Sequence, residues 1–124
     1  MSFTVEFDSK NRCLVSRFTG HMDAETREKY AQAVVQAGQE HGCKRLLNDL
    51  SQATVVDLTT MDIYYLPKAL EAAGIDHSWK RAILFAKDFS KFRFFETRMI
   101  NEGQLVRIFQ DHDAAIRWLI EGRE

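Results

Sequence analysis

The chain opens with a run in which apolar and polar residues alternate, and a second extended run follows it. These runs cover residues 3–7 and 13–18, and the segment between them, Asp8-Ser9-Lys10-Asn11, is rich in turn-forming residues. Alternation sends successive side chains to opposite faces of a strand, and the polar segment favours a reversal of the chain. The pattern therefore predicts a β-hairpin whose second strand ends at Thr19 and Gly20.

Helix-capping residues predict two helices in the next part of the chain. Asp23 is suited to an N-cap, and Gly42 to the left-handed residue that ends a helix. Residues 59–62 show the capping-box pattern, and Gly74 closes the helix that they begin. Pro67 lies inside this second helix, which it must kink or restart because its ring removes a backbone donor.

Three short apolar runs cover residues 45–50, 81–86 and 105–109, and each follows a predicted helix. Runs of this length suit buried strands that are parallel to an earlier strand across a helical crossover. A third helix is predicted over residues 91–103, and Asp111 is the N-cap of a fourth.

Together these elements predict one α/β domain over residues 1–124, with the order ββαβαβαβα. Every strand after the second is reached through a helix, so only the first pair is expected to be antiparallel. The result is a mixed five-stranded sheet that about four helices cover.

The composition is that of a folded protein and does not favour nucleic acid or a membrane as a partner. Hydrophobic residues make up 45% of the 124 residues, charged residues make up 28%, and the formal net charge is -1. This balance gives no overall field that would attract polyanions. Residues 1–6 lack the features of a secretory signal, and no apolar run approaches the roughly 18 residues of a membrane span. We therefore expect a cytoplasmic protein without an integral membrane segment.

Candidate catalytic and metal-binding residues do not form a recognisable pattern. The four histidines share no metal-ligand spacing: His21, His41, His77 and His112. Cys13 and Cys43 are better explained as small buried hydrophobes than as a disulfide in a reducing compartment. The glycine-rich nucleotide motifs and the hydrolase elbow are missing as well. We expect no metal, no cofactor and no enzymatic activity.

Two stretches of sequence resemble the STAS, or SpoIIAA-like, family of anti-sigma-factor antagonists. Residues 49–51 and 57–61, Asp-Leu-Ser and Asp-Leu-Thr-Thr-Met, are similar to the family's D-L-S and D-S-S/T-G-L motifs. Residues 106–111 and 115–119 resemble the closing V-R-x-F strand and A-x-x-W-L helix of the SpoIIAA-like subgroup. The resemblance implies a STAS fold and a non-enzymatic regulatory or protein-interaction module.

One candidate site is the loop that carries the family's phosphoacceptor. Leu58 stands where the family has the serine that a partner kinase modifies, and leucine cannot accept phosphate. Ser51, Asp57, Thr59 and Thr60 remain as an anion-binding or vestigial phosphoacceptor loop, since a helix N-terminus favours an anion. The simpler interpretation is that Thr59 caps the helix and Ser51 is a turn residue after a strand.

A second candidate site is a set of aromatic and basic residues on the second and third helices. A core-facing stripe in the third helix is satisfied by Phe92, Phe95 and Met99. Phe94 then points about 100° away from Phe95 and is expected outside that stripe. With it we group the other residues of an interaction or ligand surface: Tyr64, Tyr65, Phe92, Arg93 and Arg98. The alternative is a wide buried stripe that solvated charges surround.

Two functions follow from these observations. The first is a regulatory module that binds a protein partner or itself as a homodimer, through the surface of the second and third helices. The alternative is a binding protein or sensor for a small apolar or amphipathic anionic ligand, which would lie where Pro67 separates the second helix from its neighbour.

Overall fold

The computed structural model describes residues 2–56, 60–86 and 93–121. Within these ranges the chain forms five strands and four helices in the order ββαβαβαβα. The strands are β1 (Ser2–Asp8), β2 (Cys13–Met22), β3 (Arg45–Val56), β4 (Lys80–Leu84) and β5 (Leu105–Phe109). The helices are α1 (Ala24–His41), α2 (Thr60–Ala73), α3 (Arg93–Asn101) and α4 (His112–Glu121).

The strands lie in the sheet in the order in which they occur in the chain, β1-β2-β3-β4-β5. β1 pairs with β2 in antiparallel fashion, and the three later pairs are parallel. The predicted mixed sheet, with a single antiparallel pair at the hairpin, is confirmed.

This strand order decides which face of the sheet each helix covers. Parallel connections are right-handed in almost all proteins, so successive steps in one direction place their helices on the same face. Core residues of β2, β3 and β4 accordingly pack together with α1, α2 and α3. α4 follows the last strand and packs on the opposite face, where Ala115, Trp118 and Leu119 meet Cys13 and Leu47. One face therefore carries three helices and the other carries one.

Two strands are longer than the sequence pattern predicts. β2 was expected to end at Thr19 and Gly20, but it continues to Met22, and β3 continues to Val56 rather than ending at residue 50. The extra residues pair with each other, for example His21 with Val55, after a register shift between Gly20 and His21. Gly20 has φ 90, a conformation that glycine adopts without steric cost. Pairing between the strands, rather than residue type, sets their length.

The helix ends agree more closely with the sequence. The Asp23 carboxylate accepts a hydrogen bond from the Thr26 amide at 2.8 Å, and Gly42 ends α1 with φ 57. Pro67 is accommodated inside a continuous α2 rather than restarting it. No helix in the described ranges is both long and apolar enough to cross a membrane.

Gly38 marks the closest approach between α1 and the loop that leads into β4. A Cβ atom at this position would lie 2.6 Å from Trp79 Cη2 and 2.8 Å from the Cys43 carbonyl oxygen. We expect Gly38→Ala to destabilise the fold by about 1 to 3 kcal/mol, because this overpacking outweighs the better helix propensity of alanine. Urea unfolding measures the loss. Gln39→Ala, at the next and exposed position of α1, is the matched control, and equal stability of the two variants would contradict the tight contact.

Candidate functional site

The exposed sides of α2 and α3 carry a group of large apolar side chains, which we call the α2–α3 surface. Met61, Tyr64 and Tyr65 on α2 are 60%, 51% and 57% exposed, and Phe94 on α3 is 46% exposed. The rings of Tyr64 and Tyr65 pack edge to face, with centroids 5.1 Å apart. Large apolar side chains are more often buried than exposed to this extent, so a cluster of them makes this surface a candidate interaction site.

Arg98 joins the two helices of this surface. Its Nε atom donates to the backbone carbonyl oxygen of Tyr64 at 3.1 Å, and its guanidinium carbon lies 4.5 Å from the centre of the Tyr64 ring. Its Nη1 atom pairs with Glu102 Oε2 at 3.1 Å. The guanidinium is therefore a fixed part of the surface, whose charge Glu102 balances, rather than a lone receptor for an anion.

Neighbouring positions in α3 have opposite environments. Phe95 and Met99 are 7% and 0% exposed and belong to the core, whereas Phe94 points into solvent. The predicted separation of Phe94 from the core stripe is confirmed. Arg93 is also exposed, and Phe92 lies outside the described residues. Residues of both α2 and α3 therefore form the surface, and its role as a binding site stays a prediction.

The predicted phosphoacceptor loop is described only in part. Ser51 is not a turn residue, because it lies within β3. Its amide and hydroxyl both donate to Asp49 Oδ1, at 2.9 and 2.6 Å, and Asp49 Oδ2 lies 3.8 Å from Arg17 Nε. The Ser51 hydroxyl already has a partner within its own strand. Thr60 is the first residue of α2, and Asp57, Leu58 and Thr59 lie outside the described residues.

Sequence reasoning missed a group of polar side chains beneath the three helices. Ser16, Tyr30 and Asn48 form one hydrogen-bonded network, in which the Tyr30 hydroxyl donates to Asn48 Oδ1. Burial raises the pKa of Tyr30, so its hydroxyl stays protonated. Arg81 and Gln104 form a second buried contact, in which Arg81 donates to Gln104 Oε1. The available signal was a charged residue, Arg81, at the start of an apolar run that was interpreted as a buried strand.

An apolar cavity of about 90 Å³ lies between the sheet, α1 and α2. Its walls include Leu50, Ile83, Leu66, Leu70 and Phe95. Its polar lining comes from four side chains: Arg27, Tyr30, Asn48 and Arg81. A space of this size would hold about three molecules of liquid water, or a small organic group.

The described cysteines lack the character of catalytic nucleophiles. Cys13 and Cys43 are buried and are not joined in a disulfide, as predicted. Burial raises the pKa of the Cys13 thiol to about 11, so the reactive thiolate is scarce near neutral pH. Within the described ranges, histidine, cysteine and acidic side chains do not gather in groups of three or more that could hold a metal ion.

Solved structures share this arrangement of strands and helices over nearly the whole chain. The anti-sigma factor antagonist SpoIIAA, in its unphosphorylated form, is 13% identical with a TM-score of 0.52, and the match covers 93% of this chain and 94% of SpoIIAA. An uncharacterized DUF3478 protein from Shewanella loihica, described as having a SpoIIAA-like fold, is 17% identical with a TM-score of 0.60. That match covers 95% of this chain and 92% of the other. The chain has a SpoIIAA-like fold.

A further structure with the SpoIIAA-like fold is an anti-sigma factor antagonist from Mycobacterium paratuberculosis. It is 16% identical with a TM-score of 0.60, and the match covers 95% of this chain and 94% of the other. No protein-family model and no curated protein matches the sequence. The predicted STAS fold is confirmed, and at these identities the likeness is one of fold.

Phe94 and Phe95 provide a matched pair for testing the surface of this SpoIIAA-like fold. We expect Phe95→Ser to cost about 3 to 5 kcal/mol of unfolding free energy, because it leaves a cavity in the core. Phe94→Ser should change the unfolding free energy by less than about 1 kcal/mol, because the ring is half in solvent. Calorimetry of both variants measures the difference. A large loss for Phe94→Ser would show that its ring supports the fold instead.

Proposed function

We propose that this protein is a non-enzymatic regulatory module that binds another protein or a second copy of itself through the α2–α3 surface. The observation that carries the proposal is the exposure of Tyr64, Tyr65 and Phe94 around Arg98. Tyrosine and arginine are enriched at the energetic centres of protein interfaces, and phenylalanine is enriched in interfaces generally. Arg98 stacks on the Tyr64 ring and bonds its backbone carbonyl, so this ring loses little entropy when a partner covers it.

The fold supports the same class of function. Two solved structures with this fold are anti-sigma factor antagonists by name. The Cys13 thiol is kept protonated, which fits a binding role better than nucleophilic catalysis. We place the protein in the cytoplasm as a single domain, with a protein partner or a homodimer and without a cofactor or nucleic acid.

The proposed module differs from the phosphorylated antagonists in its switch. Leu58 occupies the acceptor position that the family resemblance assigns to serine, so this position cannot carry phosphate. On the sequence pattern, we expect Asp57, Thr59 and Thr60 to serve the start of α2, because a capping hydroxyl and a nearby carboxylate stabilise a helix N-terminus. Ser51 keeps its bond to Asp49. Binding by this module would be regulated by something other than a serine phosphate.

A second candidate function is the binding of a small apolar or amphipathic anion. The observation that favours it is the apolar cavity beneath α1 and α2, with Arg81 in its lining. A concave, mostly apolar space with few polar groups is the usual form of a small-molecule site. This function is compatible with the first, because the cavity lies on the inner side of helix α2 and Tyr64 is exposed on its outer side.

The α2–α3 surface predicts how association responds to mutation. We expect Phe94→Ser to weaken self-association or partner binding at least about tenfold, since central aromatic residues often contribute 2 kcal/mol or more. Sedimentation velocity over a concentration series measures self-association. Affinity purification from the source cell, followed by mass spectrometry, measures partner binding.

Ile120→Ser is the matched control, because Ile120 is 42% exposed on α4, on the other face of the sheet. It should associate like the wild type. Equal losses of affinity for both variants would indicate non-specific hydrophobic association. Unchanged association of Phe94→Ser would remove the α2–α3 surface from the proposal.

Leu58 predicts that the serine switch is missing. Wild-type protein purified from its own cells should have the unmodified mass. The Leu58→Ser variant, expressed in the same cells, restores the hydroxyl, so its mass should increase by one phosphate if a kinase there recognises the loop. Intact-mass and peptide mass spectrometry measure the modification. Stoichiometric, kinase-dependent phosphate on Thr59 of the wild type would overturn the prediction.

A further inference from the structure

The cavity contains a buried charge that the interaction function leaves unexplained. Arg81 is 5% exposed and lines the cavity from β4. Its register neighbours are Leu46 on β3 and Val106 on β5, which are both buried. The guanidinium therefore lies in an apolar layer between the sheet and the helices. A buried charge in such a place normally has a partner of opposite charge.

The partners that the structure gives Arg81 are uncharged. Its Nη2 atom donates to Gln104 Oε1 and lies 3.9 Å from Met99 Sδ. Gln104, itself 3% exposed, donates in turn to the Pro67 carbonyl oxygen at 3.4 Å. Among the residues that the structure describes, no carboxylate forms an ion pair with Arg81. Within the described part of the chain, the charge is therefore held in position by neutral groups alone.

The same burial defines the electrostatics of the cavity. Loss of solvation lowers the pKa of Arg81 to about 10, so the guanidinium is still charged at neutral pH. The described lining contains a second guanidinium, that of Arg27, and no carboxylate. An anion in this cavity would meet two positive groups and no negative one, in surroundings where water screens charges weakly.

The groove between α1 and α2 offers a route into the cavity. This groove has a volume of about 830 Å³ and shares Arg27, Ala31, Leu66 and Leu70 with the cavity lining. Half of its remaining wall consists of short side chains, Ala24, Ala69, Ala72 and Ala73, and the other half of Glu28, Gln32, Met61 and Tyr65. Small residues leave a gap between the helices, so a ligand could pass from solvent along Arg27 toward Arg81.

We propose that the cavity binds a small monocarboxylate with a short apolar tail, whose carboxylate pairs with the guanidinium of Arg81. The tail lies among Leu50, Leu66, Leu70 and Phe95. The size of the cavity limits such a ligand to about six heavy atoms unless the tail extends into the groove. This inference rests on the second candidate function and adds to it the charge of the ligand and the residue that recognises that charge.

The test compares butyrate with its uncharged isostere butyramide. Titration followed by methyl NMR reports binding and its location, since Leu66 and Leu70 line the cavity. We expect butyrate to shift these methyl signals and to bind at least about tenfold more tightly than butyramide, because hydrogen bonds to charged groups are the stronger ones. Butylamine, which carries the opposite charge, should not bind.

Variants at Arg81 assign the selectivity. Arg81→Met removes the charge but keeps an unbranched chain, and it should abolish the preference for butyrate over butyramide. Arg81→Lys keeps a positive charge and should retain part of the preference. Arg17→Met is the matched control, because Arg17 is a strand arginine that pairs with Asp49 and is 54% exposed. It should bind butyrate like the wild type.

The outcomes separate this inference from the function on which it rests. Equal binding of butyrate and butyramide, or a preference that survives in Arg81→Met, would overturn the inference and leave a cavity for neutral apolar ligands. Absence of binding by all three probes would overturn both. If Arg81→Met does not fold, the wild-type comparison of butyrate with butyramide and the Arg81→Lys variant still decide the question.

Discussion

The hand of the parallel connections is the constraint on which the rest of this structure depends. Strands β2 to β5 are added in one direction, so the right-handed rule sends α1, α2 and α3 to a single face. Three helices on one face of five strands leave grooves between them and a surface where α2 meets α3. The cavity and the α2–α3 surface lie in these places. On the opposite face, α4 alone covers the sheet around Trp118 and Leu119.

The crowded face is organised by buried polar groups as well as by apolar packing. The network of Ser16, Tyr30 and Asn48 links β2, α1 and β3, and the network of Arg81, Gln104 and Pro67 links β4, the residue before β5 and α2. Buried polar groups stabilise a fold only when they are satisfied. The first network is neutral and internally satisfied, whereas the second contains a charge without a described counter-charge. This difference makes the first a structural element and the second a candidate recognition element.

Helix α2 connects the two proposed activities. Its outer side presents Tyr64 and Tyr65, and its inner side lines the cavity with Leu66 and Leu70. Arg98 bonds the Tyr64 carbonyl and Gln104 bonds the Pro67 carbonyl, so both contacts hold the middle of α2. A ligand that moved α2 would therefore also move the aromatic rings of the α2–α3 surface. Such coupling requires that the ligand bind the two positions of α2 with different affinity.

The sequence by itself determined the elements whose signals are local. Asp23 and Gly42 bound α1 because a side-chain oxygen and a left-handed residue act within one helical turn. Phe94 could be separated from Phe95 because adjacent helical residues point in different directions, and the element order led to the mixed sheet with one antiparallel pair. The STAS resemblance reached the same fold from short motifs.

Only the tertiary structure decided the features that depend on partners distant in the chain. β2 and β3 extend beyond their apolar runs because each strand supplies the hydrogen-bond partners of the other. This pairing also places Ser51 in a strand instead of a turn. Arg98 proved to be a bridge to Tyr64 because α2 and α3 lie side by side. Arg81 is a buried cation without a counter-charge among the described residues, because the helical face of the sheet covers its strand and its described side-chain partners are the neutral Gln104 and Met99. Those contacts join residues far apart in the chain, and no local pattern encodes them.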